Sequence, residues 1–215
     1  LGDVYKRQKL PIGCDVPETI ILADGDFPSH PLALEWLRQC PYVVCCDGAA
    51  NTYIRSGRMP EAIVGDGDSL LPDIKERYAS LIHSEAEQET NDLSKAFRFC
   101  LSQERKRITI MGATGKREDH TIGNVSLLAD YMEQAEVSMM TDYGIFVPIR
   151  EDSMFESYIG QQISVFNMNS TALSAEGLAY PLSVFTNWWQ GTLNEALARH
   201  FIIRTEGKVL VFRVF

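Results

Sequence analysis

The sequence predicts an α/β protein with an N-terminal, mostly parallel sheet carrying helices on both faces (Rossmann-like), followed by a small C-terminal all-β sandwich. Three observations carry this prediction. From Thr19 to about Ile149, short β-rich runs alternate with amphipathic helical stretches, the pattern of parallel strands joined by crossover helices. Runs such as YVVCC and RITIMG are continuously apolar rather than alternating, which suits strands buried on both faces. After about Arg150 the texture changes to short β-rich pieces separated by turn residues. The two domains are therefore placed at 19–150 and 151–215.

The strand-like runs of the first domain are TIILA, YVVCC, EAIVG, ASLIH, RITIMG and EVSMMT. Helices are expected between them at Pro31–Arg38, Ala49–Ser56, Pro72–Tyr78, Asn91–Gln103 and His120–Gln134. Gly57 supplies a C-terminal stop, Pro72 suits a first helical turn, and Thr90 or Asn91 can cap the fourth helix. In the second domain QQISVFN, TALSAEG, PLSVFTN, RHFIIRT and KVLVFRVF read as strands, with EGK as a tight hairpin turn between the last two. Only Leu193–Arg199 looks briefly helical. About 60 residues of β structure are marginal alone, so this domain is expected to lean on the first or on a second copy of the chain. Leu1–Gln8 differs in texture from the rest of the chain and is assigned no function.

With 215 residues, 45% apolar and 23% charged, the chain has ordinary globular composition, which excludes disorder and fibrous classes. Lys plus Arg is 20 against 29 Asp plus Glu, a formal charge of -9. Nucleic-acid binding wants a basic face, so no such partner is expected. No apolar run approaches the ~20 residues that span a bilayer, and no membrane association is expected. The five cysteines lack CxxC spacing and read as buried, reduced thiols. With no signal-peptide pattern, a cytoplasmic location is expected.

In an open parallel sheet, ligands occupy the crevice beyond the carboxyl ends of the strands. Asp47 follows YVVCC; Asp66 and Asp68 follow EAIVG. The run after ASLIH leads through Gln88 to Asp92 at a helix start, and RITIMG is followed by Gly112–His120, which contains Asp119. One loop aspartate is commonly a cap or turn former. Five on one edge repel one another and imply a hard divalent cation held by oxygens, Mg²⁺. Such an ion usually shares its shell with substrate phosphates. The Gly112–Asp119 loop precedes a helix, so its amides can face an anion, and Lys95, Lys116 and Arg117 add positive charge. The pattern is that of a metal–polyphosphate site.

GATGK is not a P-loop, since two residues separate its glycines and Arg117 follows the lysine. DGDSL does not complete an EF-hand, whose twelfth position would be Arg77. The four histidines lack zinc-ligand spacing.

DGAAN at Asp47–Asn51, VGDGDS at Val64–Ser69, Gln88 with NDLSKA at Asn91–Ala96, and GATGKREDH at Gly112–His120 together resemble the thiamine pyrophosphokinase family. EGLAYPL at Glu176–Leu182 and GTLNE at Gly191–Glu195 resemble its C-terminal β domain. The resemblance implies transfer of the diphosphoryl group of ATP to the hydroxyl of thiamine, giving thiamine diphosphate and AMP. It also implies a homodimer with active sites at the subunit interface. By motif, Asp66, Asp68 and Asp92 would hold Mg²⁺, with Asp47 supporting them. Gln88, Lys95, Thr114, Arg117 and Asp119 match ATP and reaction-centre positions, and Asp119 or a metal-bound carboxylate would accept the hydroxyl proton. Tyr180, Thr192 and Asn194 would line the thiamine pocket, and Trp188 and Trp189 are candidates to stack on its rings. The chain departs from the family at Asn91, commonly Thr, and at Leu193, often Ser. AIVGDGDSL also resembles the DxD strand of haloacid-dehalogenase-like phosphatases, and a non-catalytic nucleotide or thiamine sensor is a second alternative.

Overall fold

The computed structural model describes residues 5–11, 15–85, 87 and 89–215, which fall into two compact units. One unit is Gly13–Asp142; the other is Tyr143–Phe215 together with the N-terminal stretch. The boundary falls at Asp142–Tyr143, eight residues before the expected one at 150. The difference arises because GIFVPI, read with the first domain, is the first long strand of the second.

The first strand, β1 (Lys6–Gln8), pairs in parallel with a strand of the second unit. The segment assigned no part by its sequence thus joins a sheet. The α/β unit then runs β2 (Thr19–Leu22), α1 (Pro31–Gln39), β3 (Val43–Cys46), α2 (Ala49–Arg55), β4 (Ala62–Gly65), α3 (Pro72–Arg77), β5 (Ile82–Ser84), α4 (Asp92–Ser102), β6 (Arg107–Met111), α5 (Glu118–Tyr131) and β7 (Glu136–Met140). Its strands lie parallel in the order β7-β6-β2-β3-β4-β5. Every residue of β2, β3 and β4 is buried, which is why these runs show no alternation. The predicted strand ASLIH shortens to β5 because Ala79–Leu81 form a 3₁₀ turn.

The end signals act as their chemistry dictates. Pro31 and Pro72 open their helices, and Asn91 caps α4 by accepting from the Ser94 amide at 2.9 Å. Gly57 follows α2 at φ +83, a backbone open to glycine without strain. The fifth helix starts at Glu118, two residues before the predicted His120, and brings Glu118 and Asp119 into its first turn. The strand order reverses between β2 and β6, so the crevice of this sheet opens where those neighbours diverge.

The second unit adds β8 (Gly144–Ile149), β9 (Ser153–Glu156), β10 (Gln162–Asn167), β11 (Leu173–Glu176), β12 (Asn194–Glu195), β13 (His200–Thr205) and β14 (Val209–Val214). Strands β1-β9-β13-β11 form one sheet, and β12-β10-β14-β8 run in order through another. Phe155, Phe201 and Ile203 from the first share a core with Ile145, Val165 and Val211 from the second. EGK does not close a hairpin: β13 pairs with β9 and β11, whereas β14 pairs with β8 and β10. The turn instead carries the chain from one sheet to the other. Pro181–Thr186 forms no strand, and Leu193–Arg199 forms no helix.

Candidate active site

Of the five aspartates expected on one sheet edge, Asp66 and Asp92 line one cleft, whereas Asp47, Asp68 and Asp119 do not. This cleft, about 480 Å³, lies beyond β2, β3, β4 and β6 and is lined by Asp24, Asp66, Asn91, Asp92, Lys95, Gly115, Lys116, Arg117 and His120, among others. All of these belong to the α/β unit.

Asp47 stands directly behind it. The residue is 4% exposed and takes φ +31, so the chain turns sharply at the end of β3. Its Oδ2 accepts from the Ser69 amide at 3.0 Å, while Oδ1 is buried with no hydrogen-bond partner among the described residues. Burial pushes the Asp47 carboxyl above the usual carboxylate range, and the charges of Asp92 and Asp66 push it the same way. Gly65 permits this crowding. At φ +154, a Cβ there would stand 2.8 Å from Asp47 Cβ and 3.4 Å from Asp92 Cγ.

The loop after β4 is gripped from two helices. Asn51 of α2 donates from Nδ2 to Ser69 O at 2.8 Å and accepts at Oδ1 from the Leu71 amide at 3.0 Å. Lys75 of α3 donates to Gly67 O at 2.9 Å, and Asp66 Oδ1 accepts from the Asp68 amide at 3.0 Å. Asp66 faces the cleft. Asp68 does not: it lines a neighbouring recess with Leu70, Lys75 and Glu76. The alternating DxD spacing separates the two carboxylates.

Asp92 begins α4, and Lys95 one turn later donates from Nζ to Asp92 Oδ1 at 3.2 Å. Lys95 is only 3% exposed, a buried cation whose partner carboxylate on Asp92 is partly open to the cleft. Asn91 caps α4 and also donates to Asn124 Oδ1 at 3.1 Å. Asn124 in turn donates to Ala113 O at 2.9 Å, so an amide chain joins α4, α5 and the loop after β6. Arg117 grips Asp119 with two bonds, Nε to Oδ1 at 3.1 Å and Nη2 to Oδ2 at 2.6 Å. The Arg117 guanidinium holds the Asp119 carboxyl below the usual range, which makes Asp119 a weak base in this arrangement. Thr114 contributes its carbonyl to the Asp26 amide at 2.9 Å and does not line the cleft. Gln88 lies outside the described residues.

The second unit holds its three candidates close together. Asn194 is buried, accepting at Oδ1 from the Tyr180 and Glu195 amides and donating from Nδ2 to Tyr180 O at 2.8 Å. Its amide is thus spent on the backbone and presents Tyr180, which is 64% exposed. Thr192 Oγ1 donates to Trp189 O at 2.7 Å. Leu193 takes φ +63, and Tyr180, Trp188, Trp189 and Leu193 are all exposed.

Several contributors escape the sequence reading. Asp24 and Gly25 line the cleft after β2, Gly65 allows the acids to approach, and Asn51 holds the acidic loop. Asp24 sits just beyond TIILA, so the position after each strand signals it as it signals Asp47 and Asp66. Among the described residues, no three His, Cys, Asp or Glu side chains are gathered so as to hold a metal ion by themselves. The donor set is open rather than a closed cage, and it is all oxygen with one orphaned buried carboxylate oxygen behind it. That suits a hard ion whose shell is completed by water and substrate oxygens.

Family models match nearly all of the chain after α1 begins. The model described as "Thiamin pyrophosphokinase, catalytic domain" matches residues 33–140, and "Thiamin pyrophosphokinase, substrate-binding domain" matches 144–212. Thiamine pyrophosphokinase 1 of Oryza sativa subsp. japonica is 30% identical over 129 residues, covering 48% of this chain and 49% of that protein. Thiamine pyrophosphokinase of Bacillus subtilis (strain 168) is 34% identical over 86 residues, covering 38% and 40%. The matched stretches thus span about half or less of these relatives' length. The fold is similar to that of thiamin pyrophosphokinase from Candida albicans, with a TM-score of 0.80 at 18% identity over 100% of this chain and 94% of that one. It is similar also to the Bacillus subtilis enzyme's structure, with a TM-score of 0.76 at 21% identity over 91% and 98%. With both of its halves matched in order by the family's two domains, the chain belongs to the thiamin pyrophosphokinase family.

Proposed function

We propose that the chain is a Mg²⁺-dependent thiamine diphosphokinase, moving the diphosphoryl group of ATP to the hydroxyl of thiamine with release of AMP. The observation that carries this reading is the cleft itself, where Asp66 and Asp92 face Lys95, Lys116 and Arg117 at the sheet's switch point. Family membership supplies the substrate class.

In this reading Asp66 and Asp92 would hold Mg²⁺, with Asp47 behind them and Asp68 reaching it only through a movement of its loop. When bound, the ion neutralises phosphate charge and aligns Pβ for attack. The chain's own residues do the rest. Lys95, Lys116 and Arg117 bind phosphate oxygens and stabilise charge as the Pα–O–Pβ bridge breaks toward AMP. The amides at the start of α5 face the same oxygens. Asp119 orients Arg117, and the thiamine hydroxyl gives its proton to a carboxylate lining the cleft. Tyr180 and the adjoining tryptophans offer aromatic faces to cationic thiamine, with Asn194 setting the Tyr180 backbone. We assign the remaining exposed apolar surface at Leu193 to contact with a second copy of the chain, as a homodimer.

Asp66→Asn tests the metal role. It is expected to abolish Mg²⁺-dependent turnover while leaving the melting temperature and oligomeric state intact. Full activity in this variant would overturn the assignment.

A further inference from the structure

We infer that Asp24 is a positioning residue that aims the Lys116 ammonium into the nucleotide cleft, an assignment that rests on the proposed function. Lys116 Nζ donates to Asp24 O at 2.9 Å and to Asp24 Oδ1 at 3.1 Å. The two residues follow β2 and β6, the neighbours between which the strand order reverses, so their ion pair spans the crevice at its opening.

The surrounding backbone is built to keep them there. The Gly25 amide donates to Gly112 O at 2.6 Å and the Asp26 amide to Thr114 O at 2.9 Å, joining the two loops. A Cβ on Gly25 would overlap the Thr114 and Gly112 carbonyl oxygens, and one on Gly115 would overlap the Asp26 carboxylate. On the other side, a Cβ on Gly48 would lie 2.5 Å from Asp24 Oδ2, so the glycine of DGAAN makes room for Asp24.

An ammonium has three N–H donors, and Asp24 accepts from two of them. One donor is left for an oxygen in the cleft. Lys116 sits at φ +54 with a half-exposed side chain, and its flexible stem loses much rotamer freedom when held. Asp24 has already imposed that loss before nucleotide arrives, which is preorganisation of a phosphate-binding group.

The experiment measures binding of ATP with Mg²⁺ by calorimetry, and KM and kcat for ATP and thiamine, in wild type and four variants. Asp24→Ala is expected to weaken ATP binding roughly tenfold through loss of a charge-assisted contact, with the KM for thiamine unchanged. Lys116→Ala should lose at least as much, and the double variant no more than Lys116→Ala alone. Asp24→Asn keeps the main-chain and side-chain acceptors and should bind ATP within about threefold of wild type. If Asp24→Ala does not fold, Asp24→Ser removes the carboxylate with a smaller hole and carries the same expectation. ATP bound equally or more tightly by Asp24→Ala or Asp24→Ser would overturn the inference, as would full additivity with Lys116→Ala. A wild type that binds no ATP would instead overturn the proposed function on which it rests.

Discussion

Asp47 is buried beside two further carboxylates, with one oxygen unbonded among the described residues, an arrangement that opposes folding unless a cation offsets it. The sign comes from linkage. An acid whose folded pKa lies above its unfolded value lets stability fall as pH rises from the unfolded value through the folded one, and the loss persists above both. Asp47→Asn is therefore expected to raise the melting temperature by a few degrees at pH 7 without Mg²⁺, and the gain should shrink toward pH 4. The same variant should lose about a hundredfold or more in Mg²⁺-dependent turnover. A lower melting temperature at pH 7 would contradict the charge-burial account. Arg117 gives the opposite balance. Its pair with Asp119 is exposed, so Arg117→Ala should leave the melting temperature essentially unchanged. Turnover should fall about a hundredfold, read from kcat at saturating ATP. These residues were legible because each comes after a strand. The pairing of Arg117 with Asp119 was not, since side-chain direction depends on α5 starting two residues earlier than its pattern suggests.

At the scale of elements, the strands were legible wherever burial on both faces left a continuous apolar run, and the helices wherever a Pro or Asn marked the first turn. Connections were harder to read. The turn chemistry of Glu206-Gly207-Lys208 is the same whether the next strand returns to its own sheet or enters another, so the local signal could not separate a hairpin from a crossing. The grip on the acidic loop was also hidden, because Asn51 reads as an ordinary helix residue. It bridges α2 to the loop after β4 through two bonds to backbone groups. Asn51→Ala should cost about 1 kcal/mol, since the bond to Ser69 O is exposed and that from the Leu71 amide only partly buried. It should also raise the Mg²⁺ concentration needed for half-maximal activity, measured by metal titration, since Asp66 rides on that loop. A variant with lower stability but an unchanged Mg²⁺ requirement would show that the loop's hold matters only for folding.

At the scale of the whole molecule, the α/β unit carries a cleft of facing acids and bases, and the β unit displays exposed aromatics. Leu193, 79% exposed at positive φ, lies among Tyr180, Trp188 and Trp189 in the second. On the proposed homodimer, Leu193→Glu should shift dimer to monomer in sedimentation and weaken the proposed use of thiamine in parallel; a dimer unchanged by the substitution would remove this surface from the interface. One measurement meets the proposed reaction directly. Purified protein is incubated with ATP, Mg²⁺ and thiamine while adenine products and phosphorus resonances are monitored. AMP should form in equal amount with thiamine diphosphate, and only when thiamine is present. ADP or free phosphate in place of AMP, or thiamine bound without any turnover, would contradict it.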